Sequence, residues 1–250
     1  MGMDEKQQKR EAHILDMAAH LITHHGYDKT TLGDIAEAAG ISRGVLYLHF
    51  ANKEKLVEAL INREILLYSR IWSERQDADP NGGTIAAMYR NALFAINSRP
   101  LMAALMRRDR HIFGSYLRKP NNISEVYQSR SPWTETLHKL QEVGAVRQDI
   151  KPDVLAAILD MLSYGLVSVD EIRQPEEIPP FDDLMEAIAA LMDRALAPKE
   201  GGNLEAGKAI IHDFATAALS QFERTQFTRA QLEEKDMAEK QTANEARQPQ

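Results

Sequence analysis

A glycine at position 40 splits the segment Thr31–Phe50 into two short helical runs, and this split limits what the first quarter of the chain can fold into. Ahead of it, Ile35, Ala36 and Ala39 fall on one helical face, and the small Ala36 lets a second helix cross close above. Gly40 enters the left-handed backbone region without steric cost, so a helix can stop there. Ile41 then returns to the core, and the Ser42 hydroxyl can accept from the free N–H groups of a new helix. From Arg43 that helix has Val45 and Leu46 to pin it down. Arg43, Gly44, Tyr47, Leu48 and His49 are left over, several of them on the outer side.

Two helices joined by one tight turn have helix-turn-helix geometry, in which the second helix can enter a DNA major groove. The pieces around them are specific. Ala18-Ala19, Gly26-Tyr27, Thr30-Thr31, Asp34-Ile35-Ala36, Ala39-Gly40-Ile41-Ser42, Gly44-Val45-Leu46-Tyr47, His49-Phe50 and Asn52-Lys53-Glu54-Lys55-Leu56 follow in register. From about Arg10 to Leu60 the chain therefore resembles the DNA-binding domain of the TetR (tetracycline repressor) family. The resemblance implies an all-helical homodimeric repressor that leaves a pseudo-palindromic operator when a small effector binds.

The residues expected at the DNA are Thr31, Ser42, Arg43, Gly44, Tyr47, Leu48, His49 and Lys53. Thr31 should cap the second helix, with Asp34 in the reciprocal capping-box position. The recognition helix starts at Ser42, where free N–H groups suit a phosphate oxygen. Arg43 is the candidate for a bidentate contact to guanine, and Gly44 lets the backbone come close. The resemblance implies phosphate contacts for Thr31, for Tyr47 and His49 as a pair, and for Lys53. Packing of Tyr47 and His49 against the first helix is the competing reading. Two positions depart from the family pattern: Leu48, where the family often has an aromatic or polar residue, touches a thymine methyl or nothing, and Gly33 stands where longer side chains often reach DNA.

Charge alone does not announce a nucleic-acid binder. The net charge is -7, and residues 1–63 carry eight Lys or Arg against nine Asp or Glu. The location of charge matters more: no acid lies between Arg43 and Lys53. Such a local patch, doubled in a dimer, can hold phosphates on an acidic protein. Cysteine is absent, which excludes disulfides and Cys-ligated zinc and fits a reducing cytoplasm. The first residues lack the apolar core of a signal peptide, and no apolar run approaches the roughly 20 residues of a membrane span. A cytoplasmic protein with no membrane partner is expected.

The fold class expected is all-α: an N-terminal three-helix helix-turn-helix DNA-binding domain, then a C-terminal helical ligand-binding and dimerisation domain. Alternating strand patterns bounded by Asn-Gly or Asp-Gly are missing. The division expected is 1–54 for the reader, 55–225 for the effector-binding and dimerisation part, and 226–250 for a polar, frayed tail. Helices are expected at about 5–25, 52–75, 84–97, 101–117, 131–144, 152–170, 181–196 and 203–240, punctuated by Pro100, Pro120, Pro132, Pro152 and Pro175–Pro180. The fourth helix belongs to both halves and can carry strain from one to the other.

In the C-terminal half, Leu155, Leu159, Leu162 and Leu166 form one apolar stripe, and Leu184, Ile188, Leu191 and Met192 another. They are expected at a dimer interface, with plain core packing as the alternative; two-fold operators need two-fold proteins. Asp109 interrupts the apolar face of the stretch from Leu101 to Phe113. It needs a partner, either an arginine or helix end, or a ligand in a pocket lined by Tyr89, Phe94, Met102, Met106, Phe113, Tyr116 and Trp133. A basic cluster (Arg99, Arg107, Arg108, Arg110, Arg118 and Lys119) reads as a solvated face or an anion attractor. The helix beyond Leu204 is expected to cover the pocket or wrap a partner.

No catalytic constellation emerges: there is no phosphate loop, nucleophile elbow or HExxH. His13, His20 and His24 share a face near Asp16, but that face lies opposite the apolar one, so no metal and no cofactor is expected. A helical dimer that binds small molecules or proteins without DNA is the alternative function. The effector, the operator and the choice between repression and activation are not legible.

Overall fold

Side-chain caps set where most of the early helices begin. The computed structural model describes residues 3–119, 133–171, 173–198 and 202–216. Helix α1 spans Met3–His25, α2 Leu32–Ala38, α3 Arg43–His49 and α4 Lys53–Ala78. Thr31 accepts from Asp34 N at 3.2 Å while the Asp34 carboxylate accepts from Thr31 N at 2.8 Å, the capping box expected of α2. Ser42 caps α3 by accepting from Val45 N, and Asn52 caps α4 by accepting from Lys55 N. Gly40 takes φ +65°, closing α2 in the left-handed conformation. No strand occurs among the described residues.

Helices α5 (Ile85–Asn97) and α6 (Pro100–Arg107) follow. The single helix expected over 101–117 is a correction: it breaks at Arg108, which adopts φ 54°. Asp109 then caps a separate four-residue helix, α7 (Arg110–Phe113), by accepting from His111 N at 2.8 Å and Ile112 N at 3.1 Å. A 3₁₀ turn over Gly114–Arg118 completes the segment. Helices α8 (Trp133–Glu142), α9 (Pro152–Val167) and α10 (Phe181–Leu196) come next, and 204–216 is helical. Pro120, Pro132, the end of the helix expected over 203–240 and the tail 226–250 lie outside the described residues.

Two apolar clusters organise these elements. The first joins Ile14, Ala18 and Ile22 of α1 to Ile35, Leu46 and Phe50, and to Leu56, Leu60 and Ile61 of α4. It also takes in Leu101, Met102, Leu105, Ile112, Phe113 and Tyr116. This cluster extends across the division expected at residue 54. The second cluster gathers Trp72 of α4 with Met88, Tyr89 and Leu93 of α5, Leu137 and Leu140 of α8, Leu155 and Leu159 of α9, and Met185 and Met192 of α10. Helix α4 runs through both clusters.

Polar contacts tie α4 to its surroundings. The buried Glu64 carboxylate takes a two-pronged contact from Arg99, at 2.9 and 2.6 Å. At the far end of α4, Gln76 donates to Gly82 O at 2.5 Å and accepts from Asn91 at 3.0 Å, closing the turn into α5. Arg107 donates to Val167 O at 2.9 Å, capping the end of α9. Much of the basic cluster is thus spent on internal contacts, since Lys119 pairs with Glu54 as well.

Candidate nucleic-acid interface

Helix α3 has one buried side chain, Leu46, and its first residues look outward. Arg43 and Gly44 are exposed, Tyr47 is 55% exposed and Leu48 84%. These four stand on the outer side of a unit made by α1–α3 and the start of α4. They share that side with the exposed Thr31 and Ser42, whose hydroxyls are engaged in capping. Thr31, Gly33, Arg43, Tyr47 and Lys53 line one shallow groove with Asp28, Thr30 and Leu32. The groove thus brings together four of the eight residues expected at DNA: Thr31, Arg43, Tyr47 and Lys53.

His49 corrects the expectation. Its imidazole is only 5% exposed, lies 3.8 Å from Glu11 of α1 and packs beside Phe50. The helical turn that sends Leu48 to water sends His49 inward, so Tyr47 and His49 do not lie on one surface. Lys53 is also engaged. It donates to Tyr27 O, and its ammonium lies 3.9 Å from the centre of the Tyr27 ring. Burial holds its ammonium below the ordinary lysine range, against the pull of Asp28 and Glu54.

A second element braces this unit. Tyr27 N donates to Ile112 O at 2.7 Å, and Asp28 accepts from Ser115 N and from its hydroxyl. The Ser115 hydroxyl holds the Asp28 carboxyl below its usual range. Tyr27 also donates to Glu54 at 3.2 Å and stacks obliquely on Tyr116. Gly26 is required at this joint: it has φ +81°, and a Cβ there would come within 2.6 Å of His111 O. In the sequence the Gly26-Tyr27 pair was the one visible sign of the joint. Asp28 and Ser115 are 87 positions apart and gave none.

The expected effector pocket is a second correction. Met102, Phe113 and Tyr116 pack into the first cluster, whereas Tyr89, Phe94 and Trp133 belong to the second. Met106 is exposed at 38% and Asp109 caps α7, so these eight side chains do not enclose one space. The break at Arg108 is the cause, because it turns the following residues onto α1. What the structure does assemble is an aromatic group: Trp72 meets Trp133 edge-on at 6.3 Å and Phe214 at 5.6 Å, with Tyr68 stacked on Trp72 at 6.5 Å. The Trp72 indole N–H is buried with no acceptor among the described residues.

The residues expected at the dimer interface divide between two faces: Leu162, Leu184, Ile188 and Leu191 keep exposed or half-buried side chains, and the other four do not. Leu155, Leu159, Leu166 and Met192 are buried in the second cluster of their own chain. On α9 the exposed apolar side chains are Val154, Ile158, Met161, Leu162 and Tyr164. On α10, Leu191 is 68% exposed, with Leu184 and Ile188 half-buried beside it. His13, His20 and His24 are exposed, and Asp16 pairs with Arg63 at 2.7 Å. No group of metal-ligating residues is assembled among the described residues.

Comparison with known proteins adds independent findings. Residues 14–60 match the family described as bacterial regulatory proteins, tetR family. The chain is similar to the HTH-type transcriptional regulator TtgR of Pseudomonas putida, at 30% identity over 203 residues, 77% of this chain and 92% of that protein. Among solved structures it resembles NalD, the secondary repressor of the MexAB-OprM multidrug efflux pump in Pseudomonas aeruginosa. That match has TM-score 0.58 and 23% identity and covers 78% of this chain and all of the other. A complex of SmeT with triclosan matches with TM-score 0.55 at 18% identity, over 76% of this chain and 93% of that one. No helix among the described residues is long and apolar enough to cross a membrane.

Proposed function

Because the chain belongs to the tetR family of bacterial regulatory proteins and is a DNA-binding transcriptional regulator, we propose that it is a repressor that holds a two-fold operator as a homodimer and releases it when a small effector binds. The reader is the unit of residues 1–54, and the remainder to about 225 binds effector and partner. The observation that carries the reading is the set Arg43, Tyr47 and Leu48, turned outward by a helix whose one buried residue is Leu46.

Each outward residue has a chemical part. Arg43 reads a base through two parallel hydrogen bonds to guanine. Leu48 covers a thymine methyl. Tyr47 and Thr31 donate to phosphate oxygens, and Gly44 allows the backbone to approach. Lys53 joins them by exchanging the Tyr27 carbonyl for a phosphate. Phosphate contacts set the position and base contacts the sequence. The second copy joins through the exposed stripe of α9 and the Leu191 side of α10. A contiguous apolar surface of this kind is costly to leave in water.

The effector site is the aromatic group at Trp72, Trp133 and Phe214. It touches α4, a helix shared with the reader's core, so an occupant there moves the two recognition helices relative to each other. The protein acts in the cytoplasm, on chromosomal DNA.

A gel-shift titration of the protein on genomic fragments tests the reading. Affinity should fall steeply as salt rises from 50 to 200 mM, by about 10³-fold for a handful of phosphate contacts. Tyr47→Ala should weaken binding to every duplex alike, and Arg43→Ala should also relax sequence preference. Full retention of affinity and preference by both variants overturns the assignment.

A further inference from the structure

Arg43 carries a long, flexible side chain on the first residue of a seven-residue helix, and its next neighbour on that helix is a glycine. An arginine reads a guanine only if its planar group meets the base edge in the right plane. Something must therefore orient it, and what lies against it belongs to α2. A Cβ built on Gly33 would come within 2.6 Å of Arg43 Nη2, 3.0 Å of Cζ and 3.1 Å of Nε. Three atoms of the guanidinium plane thus lie against the Gly33 backbone, in the space a side chain would fill. The Asp34 carboxylate, fixed by its bond to Thr31 N at 2.8 Å, adds a negative charge beside the same group.

The two glycines near Arg43 differ in this respect. At Gly44 a Cβ would meet only Ser42 Oγ, at 3.9 Å, which is ordinary contact. At Gly33 a Cβ cannot be added without moving the guanidinium. A glycine in the first turn of a short helix weakens it, and the seat it leaves for Arg43 is a physical reason for its presence.

We propose that Gly33 is a specificity-determining residue: its missing side chain is the seat that sets the plane of the Arg43 guanidinium, and hence the base edge that Arg43 reads. Gly33 acts through Arg43 and needs no contact of its own with DNA. This rests on the reading of α3 as the DNA reader.

The test is selection of preferred sites from a randomised duplex library, run with the full chain as wild type, Gly33→Ala, Arg43→Ala and the double variant. Thermal melts followed by circular dichroism confirm folding; alanine is the better helix former, so Gly33→Ala should melt no lower than wild type. The wild type should enrich guanine at one position of each half-site. Gly33→Ala should shift or weaken the preference at that position by about tenfold, the size of one bidentate base contact. It should leave the other positions and the salt dependence as they were. The double variant should match Arg43→Ala. Wild-type preference retained by Gly33→Ala overturns the proposal, as does a Gly33→Ala effect that persists when Arg43 is absent. A wild type that retains no duplex overturns the DNA reading itself, which separates the two failures.

Discussion

Helices α3 and α9 both hold apolar side chains in water, and they do so differently. On α3 the apolar exposure is Leu48, set among Arg43, Gly44 and the half-polar Tyr47. Isolated apolar side chains are ordinary on protein surfaces. On α9 the exposure is a stripe, Val154, Ile158, Met161 and Leu162, recurring at helical spacing, and Leu191 on α10 is exposed as well. The first pattern suits a wet, charged ligand that is read group by group. The second suits a dry partner that covers area. The opposite faces of the two helices are alike, because Leu46 and Leu159 are both buried. What separates the helices is therefore the outward side, and that is where variants discriminate.

The largest effect is expected inside the second cluster. Leu159→Ala should lower unfolding free energy by about 2–5 kcal/mol, as buried leucine truncations do. Met161→Asp, two residues away but facing out, should leave the protomer folded and convert a dimer to a monomer in sedimentation velocity. A Met161→Asp protein that stays dimeric breaks the contrast drawn between the two helices. On the reader side, loss of the capping hydroxyl in Thr31→Ala should cost about 1 kcal/mol in urea denaturation, since α2 is only seven residues long. An unchanged midpoint would mean that packing on Ile35 and Ala36 holds α2 without its cap. Arg108→Gly should gain about 0.5–1 kcal/mol, because the left-handed backbone there suits glycine; a lower melting temperature would contradict that.

The smallest effect concerns the joint between the α1–α2 turn and Ser115. Ser115 lowers the folded-state carboxyl value of Asp28 below its unfolded value of about 3.9. The charged form is thus favoured by folding. Its contribution is present above the unfolded value and is lost as pH falls through the folded one. Asp28→Asn should therefore lower the urea midpoint slightly at pH 7 and hardly at all at pH 2. An equal gap at both pH values would show that the carboxylate charge plays no part.

The parts legible in the sequence are those governed by local hydrogen bonding. Thr31 with Asp34, Ser42, Asn52 and Gly40 marked their helix ends because each supplies a group or a conformation that its immediate neighbours require. The break at Arg108 carried no such mark: arginine rarely adopts positive φ, and the apolar spacing continues past it to Phe113. The stripe expected on α9 takes in both faces, Leu159 and Leu162 alike, because nearly every residue from Val154 to Val167 is apolar, so periodicity cannot choose between the face for its own core and the face for a partner. The seat of Arg43 on Gly33 depends on how α2 crosses α3. In the sequence Gly33 stands out only as a place where longer side chains often reach DNA.

The aromatic group has a practical consequence. The chain contains two tryptophans, and Trp72 and Trp133 are 6.3 Å apart in the same place. Indole emission from this protein therefore originates in one spot, beside the shared helix and remote in sequence from Arg43. A titrated compound that quenches or shifts that light reports on the C-terminal half alone, while events at the operator face leave the signal dark unless α4 relays them.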